Sequence, residues 1–279
     1  MVIDASSALA PASVLYVPAH KPRAIVKARG SAAEMIVLDL EDAVPDADKD
    51  AARGAVAQAL AEGFGAIAVA VRVNRGETMA NDLRALEATP PDYIVIPKVG
   101  RPGDLPENAP TPLLAMIETP LGVLDARAIA DDSRVVGLIA GLNDLAHEMH
   151  LPNGIDREAL SLSLQAIVLV ARASGVWCFD GVCNAIDDDA GFAAEARAGY
   201  RLGFDGKTLI HPAQIVPCNE AWTPDPAAVD EARRIVALDG QGAQRFEGRM
   251  IEDMHVTAAL RMIARADLNA RRACATSEQ

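Results

Sequence analysis

Positive charge is scarce in this chain of 279 residues: 26 Lys and Arg stand against 39 Asp and Glu, a formal net charge of −13. A field of that sign repels phosphate backbones, so no nucleic-acid partner is expected, although a local basic patch could still hold a small anion. Aromatic residues are only 4% of the chain, so a core must rest on Ala, Val, Leu and Ile. The four cysteines (Cys178, Cys183, Cys218, Cys274) show no CxxC spacing, which argues against a disulfide framework and a zinc ribbon. No run of 18 apolar residues is present, so no membrane span is expected. The opening "MVIDASSALAPAS" lacks a basic stretch followed by an apolar one. No signal peptide is expected there, and a cytoplasmic protein is the default. Internal repeats, low-complexity segments and linkers are lacking too.

Hydrophobic residues make up 51% and charged residues 23%, the balance of a soluble globular protein. Eight short apolar runs recur: 13–18, 35–42, 66–74, 93–99, 113–118, 135–141, 176–182 and 206–212. Each is nearly continuous in apolarity, as strands buried on both faces are. Helical patterns separate them at 46–63, 79–88, 121–132, 156–175 and 187–203, several with acidic starts and glycine stops. Eight βα units in sequence predict a closed (β/α)₈ TIM barrel. A doubly wound open sheet would carry a Gly-rich phosphate turn after its first strand, and "VPAHKPR" is not one. The barrel is expected over residues 1–236. Residues 237–279, a loop at 240–248 and a final helix at 253–273, form an appendage expected to pack on a neighbouring subunit or act as a lid.

Active sites of such barrels sit at the C-terminal ends of the strands. Those ends read Pro18; Asp39, Glu41 and Asp42; Arg72 and Asn74; Lys98; Glu118; Asn143 and Asp144; Asp180; His211. Glu118 and Asp144 fall on successive βα loops. Two neighbouring carboxylates repel unless a cation sits between them, and Mg²⁺ suits one or two carboxylates completed by waters or substrate oxygens. The competing reading is that each caps the helix that follows. Arg72 can grip a carboxylate with two parallel N–H bonds or pair with the acids of "DLED". Lys98 reads as a cation neutralising the acidic cluster, or as a Schiff-base lysine. "HEMH" (147–150) puts two His on roughly one helix face with no third ligand nearby, which favours a surface role. "DDD" (187–189) reads as the acidic first turn of a helix.

The stretches "SVLYVPAHKPRAIVKA", "VLDLEDAV", "VRVN", "IPKV", "MIETPLGVLDARAIA", "GLNDLAHEM" and "GFDGKTLIHPAQI" resemble, in order and spacing, the citrate lyase beta-subunit-like branch of the HpcH/HpaI aldolase/citrate lyase superfamily. The resemblance covers roughly residues 13–265. It implies a (β/α)₈ barrel assembled into homotrimers or hexamers. It also implies Mg²⁺-dependent cleavage or formation of a carbon–carbon bond in a short 3-hydroxy acyl thioester, such as malyl-, citramalyl- or citryl-coenzyme A. The products are a 2-oxo acid and an acyl thioester. By motif, Glu118 and Asp144 look like the metal ligands and Arg72 like the residue that binds the oxo-acid portion. Glu41 and Asp42 look like rim carboxylates that organise Arg72 and water at the metal. Lys21, Arg23 and Lys27 of the first loop look like contacts to the nucleotide end of coenzyme A, with Arg29 extending the patch.

The pattern has departures. Ala19 stands where the family usually has glycine, Ala24 replaces an arginine, Ile25 a phenylalanine, and Asn143 a glutamate. The altered first loop keeps open a metal-dependent aldolase acting on a free 2-oxo acid. That branch carries a histidine after the second-strand acid, and "DLEDAV" has none. An accessory subunit of a multi-subunit lyase is the other alternative, and thioester hydrolysis or synthesis is a variant of the lyase chemistry.

Overall fold

A computed structural model describes residues 9–152, 157–238 and 242–277, with side chains to 272. The N-terminal residues 1–8, the Asp156 helix start and the Cys274 side chain lie outside the described residues. Eight parallel strands close into a barrel in sequence order. They are β1 (Ser13–Pro18), β2 (Met35–Asp39), β3 (Ala68–Arg72), β4 (Tyr93–Ile96), β5 (Leu113–Ile117), β6 (Val135–Ala140), β7 (Trp177–Asp180) and β8 (Gly206–Leu209). Closure comes from β1 pairing with β8, Ser13 opposite Lys207. The expected (β/α)₈ TIM barrel is therefore the fold. The strands end earlier than their apolar runs because the last residues of each run turn onto the rim.

Helices α1 (Pro22–Arg29), α2 (Lys49–Glu62), α3 (Glu77–Leu86), α4 (Pro120–Leu124), α5 (Ala126–Ala130), α6 (Leu142–Glu148), α7 (Ser161–Ser174), α8 (Asp189–Leu202) and α9 (Ile215–Ala221) accompany the strands. Helices α7 and α8 stop at Gly175 (φ 70°) and Gly203 (φ 100°), left-handed positions that glycine fills without strain. The helix expected over 121–132 is two short ones, broken at Asp125, where ψ is 5°. The acidic run behaves as read: Asp188 caps α8 by accepting from Gly191 N at 2.9 Å.

Inside the barrel, Val14, Met35, Val37, Ala70, Val95, Leu114 and Ile139 pack as one cluster with Tyr93, Trp177 and Phe179. Few aromatics are available, and these three meet edge to face: Tyr93–Trp177 at 5.6 Å and Trp177–Phe179 at 6.2 Å. Cys178, Cys183 and Cys218 are buried and form no disulfide among the described residues. No helix among the described residues is long and apolar enough to cross a membrane.

The chain divides into two compact units after Ala221, not at 236/237. The reason is α10 (Pro226–Val236), whose Ala232 and Ile235 bury against Ile251 and Ala259 in the second unit. That unit also holds a hairpin, β9 (Gln244–Phe246) and β10 (Arg249–Ile251), and α11 (Asp253–Ser277). The hairpin replaces part of the expected loop. Its turn residues Glu247 (φ 48°) and Gly248 (φ 82°) both have positive φ, the signature of a two-residue type I′ turn. Glu-Gly is a weaker signal for that turn than Asn-Gly.

Phe179 is fully buried at the centre of the barrel cluster. Phe179→Ala should cost about 3–5 kcal/mol, measured as a lower urea midpoint with an unchanged m-value.

Candidate active site

Side chains on a strand alternate between its two faces. On β5 the inward sequence is Leu114, Met116 and then Glu118. On β2 it is Met35, Val37 and Asp39; on β3 it ends at Arg72; on β1 it runs Val14, Tyr16. Each stripe is apolar at the barrel floor and polar at the top. Together these tops surround a cavity of about 380 Å³ that Tyr16, Asp39, Arg72, Glu118, Asp144 and Thr208 help to line.

Arg72 is held on three sides. Its Nε and Nη2 donate to Asp39 Oδ1 and Oδ2 at 2.8 and 2.6 Å. Its Nη1 lies 2.8 Å from Glu41 Oε2, and its Cζ stands 4.9 Å from the centre of the Tyr16 ring. Burial disfavours the Arg72 charge, but the hydrogen bonds and charge of Asp39 outweigh it and raise the pKa. A guanidinium has five N–H donors; two go to Asp39 and one on Nη1 to Met116 Sδ at 4.0 Å, a weak acceptor, so two remain without an aligned hydrogen bond. Both readings of Arg72 thus coexist: it is paired with "DLED" and still has donors to offer.

That pairing corrects one expectation. Asp39 and Glu41, not Asp42, organise Arg72. Asp42 is exposed, lines this cavity and a neighbouring one, and makes no hydrogen bond or ion pair with the described residues. The Glu41 contact with Arg72 is charge attraction without hydrogen-bond alignment, so Oε2 is buried with lone pairs unspent. The Glu41 backbone is fixed from below: its N–H donates to Asp39 Oδ1 at 2.9 Å, and Lys49 Nζ donates to Leu40 O and Glu41 O, both at 3.0 Å. Lys49 also reaches Asn74, which Asp82 holds in turn. Asn74 therefore braces the β2 loop and does not line this cavity.

Glu118 and Asp144 come together around Lys98. The Lys98 backbone N–H donates to Glu118 Oε1 at 2.7 Å, and Lys98 Nζ pairs with Asp144 Oδ1 at 3.1 Å. Neither carboxylate caps a helix: Thr119 caps α4, and Gly141 occupies the N-cap position of α6. Glu118 Oε2 accepts nothing from the described residues. Gly141 makes room for it, since a Cβ there would fall inside van der Waals contact with Glu118 Cβ and Oε2. Burial pushes Glu118 up to about 7, helped by the charges of Asp144 and Glu41. Burial likewise pushes Glu41 up to about 7 against the pull of Arg72.

Two carboxylates facing a water-accessible cavity, each with one oxygen on Lys98 and the other without a hydrogen bond from the described residues, are the donor chemistry of a Mg²⁺ site completed by water and ligand oxygens. Among the described residues no cluster of three or more His, Cys, Asp or Glu is assembled to hold a metal, so a zinc-type cage is not built here. His147 and His150 form no such cluster, and His211 accepts from Ala213 N. Asp180 turns away from the cavity and is buried with Lys207, Arg157 and Glu195.

Lys21, Arg23 and Lys27 are exposed on the first loop and α1, without ion-pair partners among the described residues. Arg29 leaves that patch. It pairs with Glu62 at 2.5 Å and covers Phe64. Asn143 lines the cavity and exchanges amide hydrogen bonds with Asn184, at 2.7 and 3.3 Å. Tyr16 was not singled out from the sequence; counting in twos along β1 from Val14 would have found it. Among the described residues its hydroxyl bonds only to Met116 Sδ, at 3.5 Å, a weak acceptor.

The HpcH/HpaI aldolase/citrate lyase family profile matches residues 12–212. The chain belongs to that family. A (3S)-malyl-CoA thioesterase of Cereibacter sphaeroides is 41% identical over 268 residues, covering 91% of this chain and 94% of the relative. Citrate lyase subunit beta of Escherichia coli is 32% identical, covering 92% and 93%. The crystal structure of CitE from Mycobacterium tuberculosis, in complex with magnesium, acetoacetate and coenzyme A, superposes with a TM-score of 0.80 at 32% identity. It covers 93% of this chain and 100% of that one. Another structure from the same organism holds the citrate lyase beta subunit with oxaloacetate and magnesium, with a TM-score of 0.72. The match spans the strands that carry the whole cavity wall.

Two outcomes are expected from this geometry. Gly141→Ala should displace Glu118 and lower turnover by roughly a hundredfold or more, the scale set by misplacing one reacting group, with the circular dichroism spectrum retained. Metal-free protein should lose stability as pH rises from about 4.5 to 7. Folded Glu41 and Glu118 keep protons to about 7 that the unfolded chain releases near 4.5. Glu118→Gln should flatten that slope in thermal melts; an unchanged slope would contradict the burial argument.

Proposed function

We propose that this chain is a Mg²⁺-dependent carbon–carbon lyase that cleaves, or forms, a short 3-hydroxy acyl thioester of coenzyme A at a carboxylate-bearing carbinol carbon. The observation that carries the reading is the pairing, in one cavity, of a two-carboxylate site (Glu118, Asp144) with an Arg72 that keeps donors free. Glu118 and Asp144 would hold Mg²⁺. When bound, the ion supplies Lewis acidity to the hydroxyl and carboxylate oxygens of the hydroxy acid.

The chain's own residues account for the rest. Arg72, locked by Asp39, presents its remaining N–H groups to the substrate carboxylate and to the negative charge that develops on bond cleavage. Glu41, held near 7 beside Arg72, is matched to general acid–base work at neutral pH. It would take the hydroxyl proton as the carbon–carbon bond breaks and the bonding pair moves into the thioester enolate, then return it to carbon. The products are a 2-oxo acid and a shorter acyl thioester. Lys21, Arg23 and Lys27 form the cationic surface for the coenzyme A phosphates in an otherwise acidic protein. A homotrimer or hexamer in the cytoplasm, with residues 237–279 against a neighbour or over the site, belongs to the same reading and follows the family resemblance.

Thioester hydrolysis is the second reading, favoured by the malyl-CoA thioesterases at 40–41% identity. It would use the same carboxylates and Arg72 but spend water on the thioester carbonyl. (3S)-malyl-CoA with Mg²⁺ separates the two. A trapped 2-oxo acid hydrazone without free thiol shows cleavage. Free thiol without oxo acid shows hydrolysis. Chelation of the metal and Glu118→Gln should each lower either activity at least a hundredfold, the scale of losing one preorganised charge interaction. Turnover indifferent to both changes would contradict the site.

A further inference from the structure

Among the described residues, Lys98 bonds to both carboxylates of the site. It lies just beyond β4 with φ at 51°, a left-handed conformation that costs a lysine energy and persists only where the surroundings enforce it. They do so here. The Lys98 N–H is spent on Glu118 Oε1, and the next N–H, of Val99, donates to Met116 O at 3.1 Å. The strained backbone therefore delivers a donor to one carboxylate and an ammonium to the other.

The two contacts differ in permanence. The Glu118 contact is backbone and buried. The Asp144 contact is an ion pair at the cavity mouth, with side chains 28% and 35% exposed. Such a pair is weak and readily exchanged. Burial disfavours the Lys98 charge, yet Asp144, Asp42 and Glu41 together raise its pKa, so the ammonium remains a cation under carboxylate control. Lys98 also lines a second cavity of about 760 Å³ with Glu41 and Asp42. Asp42 there is exposed and without a partner among the described residues.

We propose that Lys98 is a two-position placeholder for the metal: its ammonium holds Asp144 in place before Mg²⁺ binds, and moves to Asp42 when the ion takes Asp144. The backbone N–H keeps Glu118 oriented in both states. Lys98 is thus a positioning residue, and Asp42, which does not organise Arg72, receives the displaced charge. The inference rests on the Mg²⁺ reading of Glu118 and Asp144.

Calorimetric titration of the metal-free protein with MgCl₂ tests it without any substrate. Lys98→Met removes the competing cation but keeps the side-chain stem and the N–H. It should bind Mg²⁺ roughly fivefold tighter, the scale of one partly exposed ion pair. Lys98→Arg, which keeps the charge, should stay near the wild-type affinity and controls for damage to the fold. Asp42→Asn should weaken binding in the wild-type background, and that effect should vanish in the Lys98→Met background. Unchanged or weaker binding by Lys98→Met overturns the placeholder. An Asp42→Asn effect that persists without Lys98 overturns the move to Asp42. Absence of Mg²⁺ binding by the wild type and all variants overturns the metal reading itself.

Discussion

The constraint beneath this site is the two-residue alternation of a closed parallel barrel. Every second side chain faces inward, and eight strands deliver their stripes to one shared interior. Below the rim that interior must be apolar, because unpaired charge there has no water. At the rim it opens to solvent, and polar groups become affordable. Leu114, Met116 and Glu118 trace that change along a single strand, and Met35, Val37 and Asp39 repeat it three strands away. The charge at the end of a buried strand is therefore the point where an inward stripe reaches the mouth.

Concentrating acids there has an electrostatic cost, and the fold offsets it with two cations used differently. Arg72 is locked by Asp39 through two parallel hydrogen bonds, the stronger geometry for a guanidinium. Lys98 is a point charge on a flexible stem, paired at the rim where exchange is easy. One cation fixes the site's shape, and the other balances a charge that a metal would also balance. The buried Glu41 and Glu118 are both pushed up to about 7, chiefly by burial, with neighbouring acids adding to the rise.

Much of this was legible in the residues. Continuous β-branched runs with helical patterns between them identify the barrel, because a sheet covered on both faces cannot alternate in polarity. The rim set followed from the strand ends. What was less legible depended on contacts between elements. Asp39 and Glu41 both reach Arg72, while Asp42, in the loop beyond β2, lines the cavity without pairing with it; "DLED" alone does not say which acid faces Arg72. Asp180 and Asn74 look like rim residues by position, yet Lys207, 27 residues on from Asp180, and Asp82, 8 residues on from Asn74, draw them into bracing networks. Asn143 likewise spends its amide on Asn184. The boundary after Ala221 was hidden because α10 reads as one more barrel helix until its partner α11 is seen.

The central claim is that Glu118 and Asp144 form a cation site whose buried carboxylate keeps its proton until a metal arrives. Mg²⁺ titrations in two buffers of different ionisation enthalpy, at pH 6.5 and 8.5, test it most directly by counting protons. The account predicts release of a substantial fraction of a proton per Mg²⁺ at pH 6.5 and almost none at pH 8.5. Mg²⁺ binding with no proton release at either pH would contradict it.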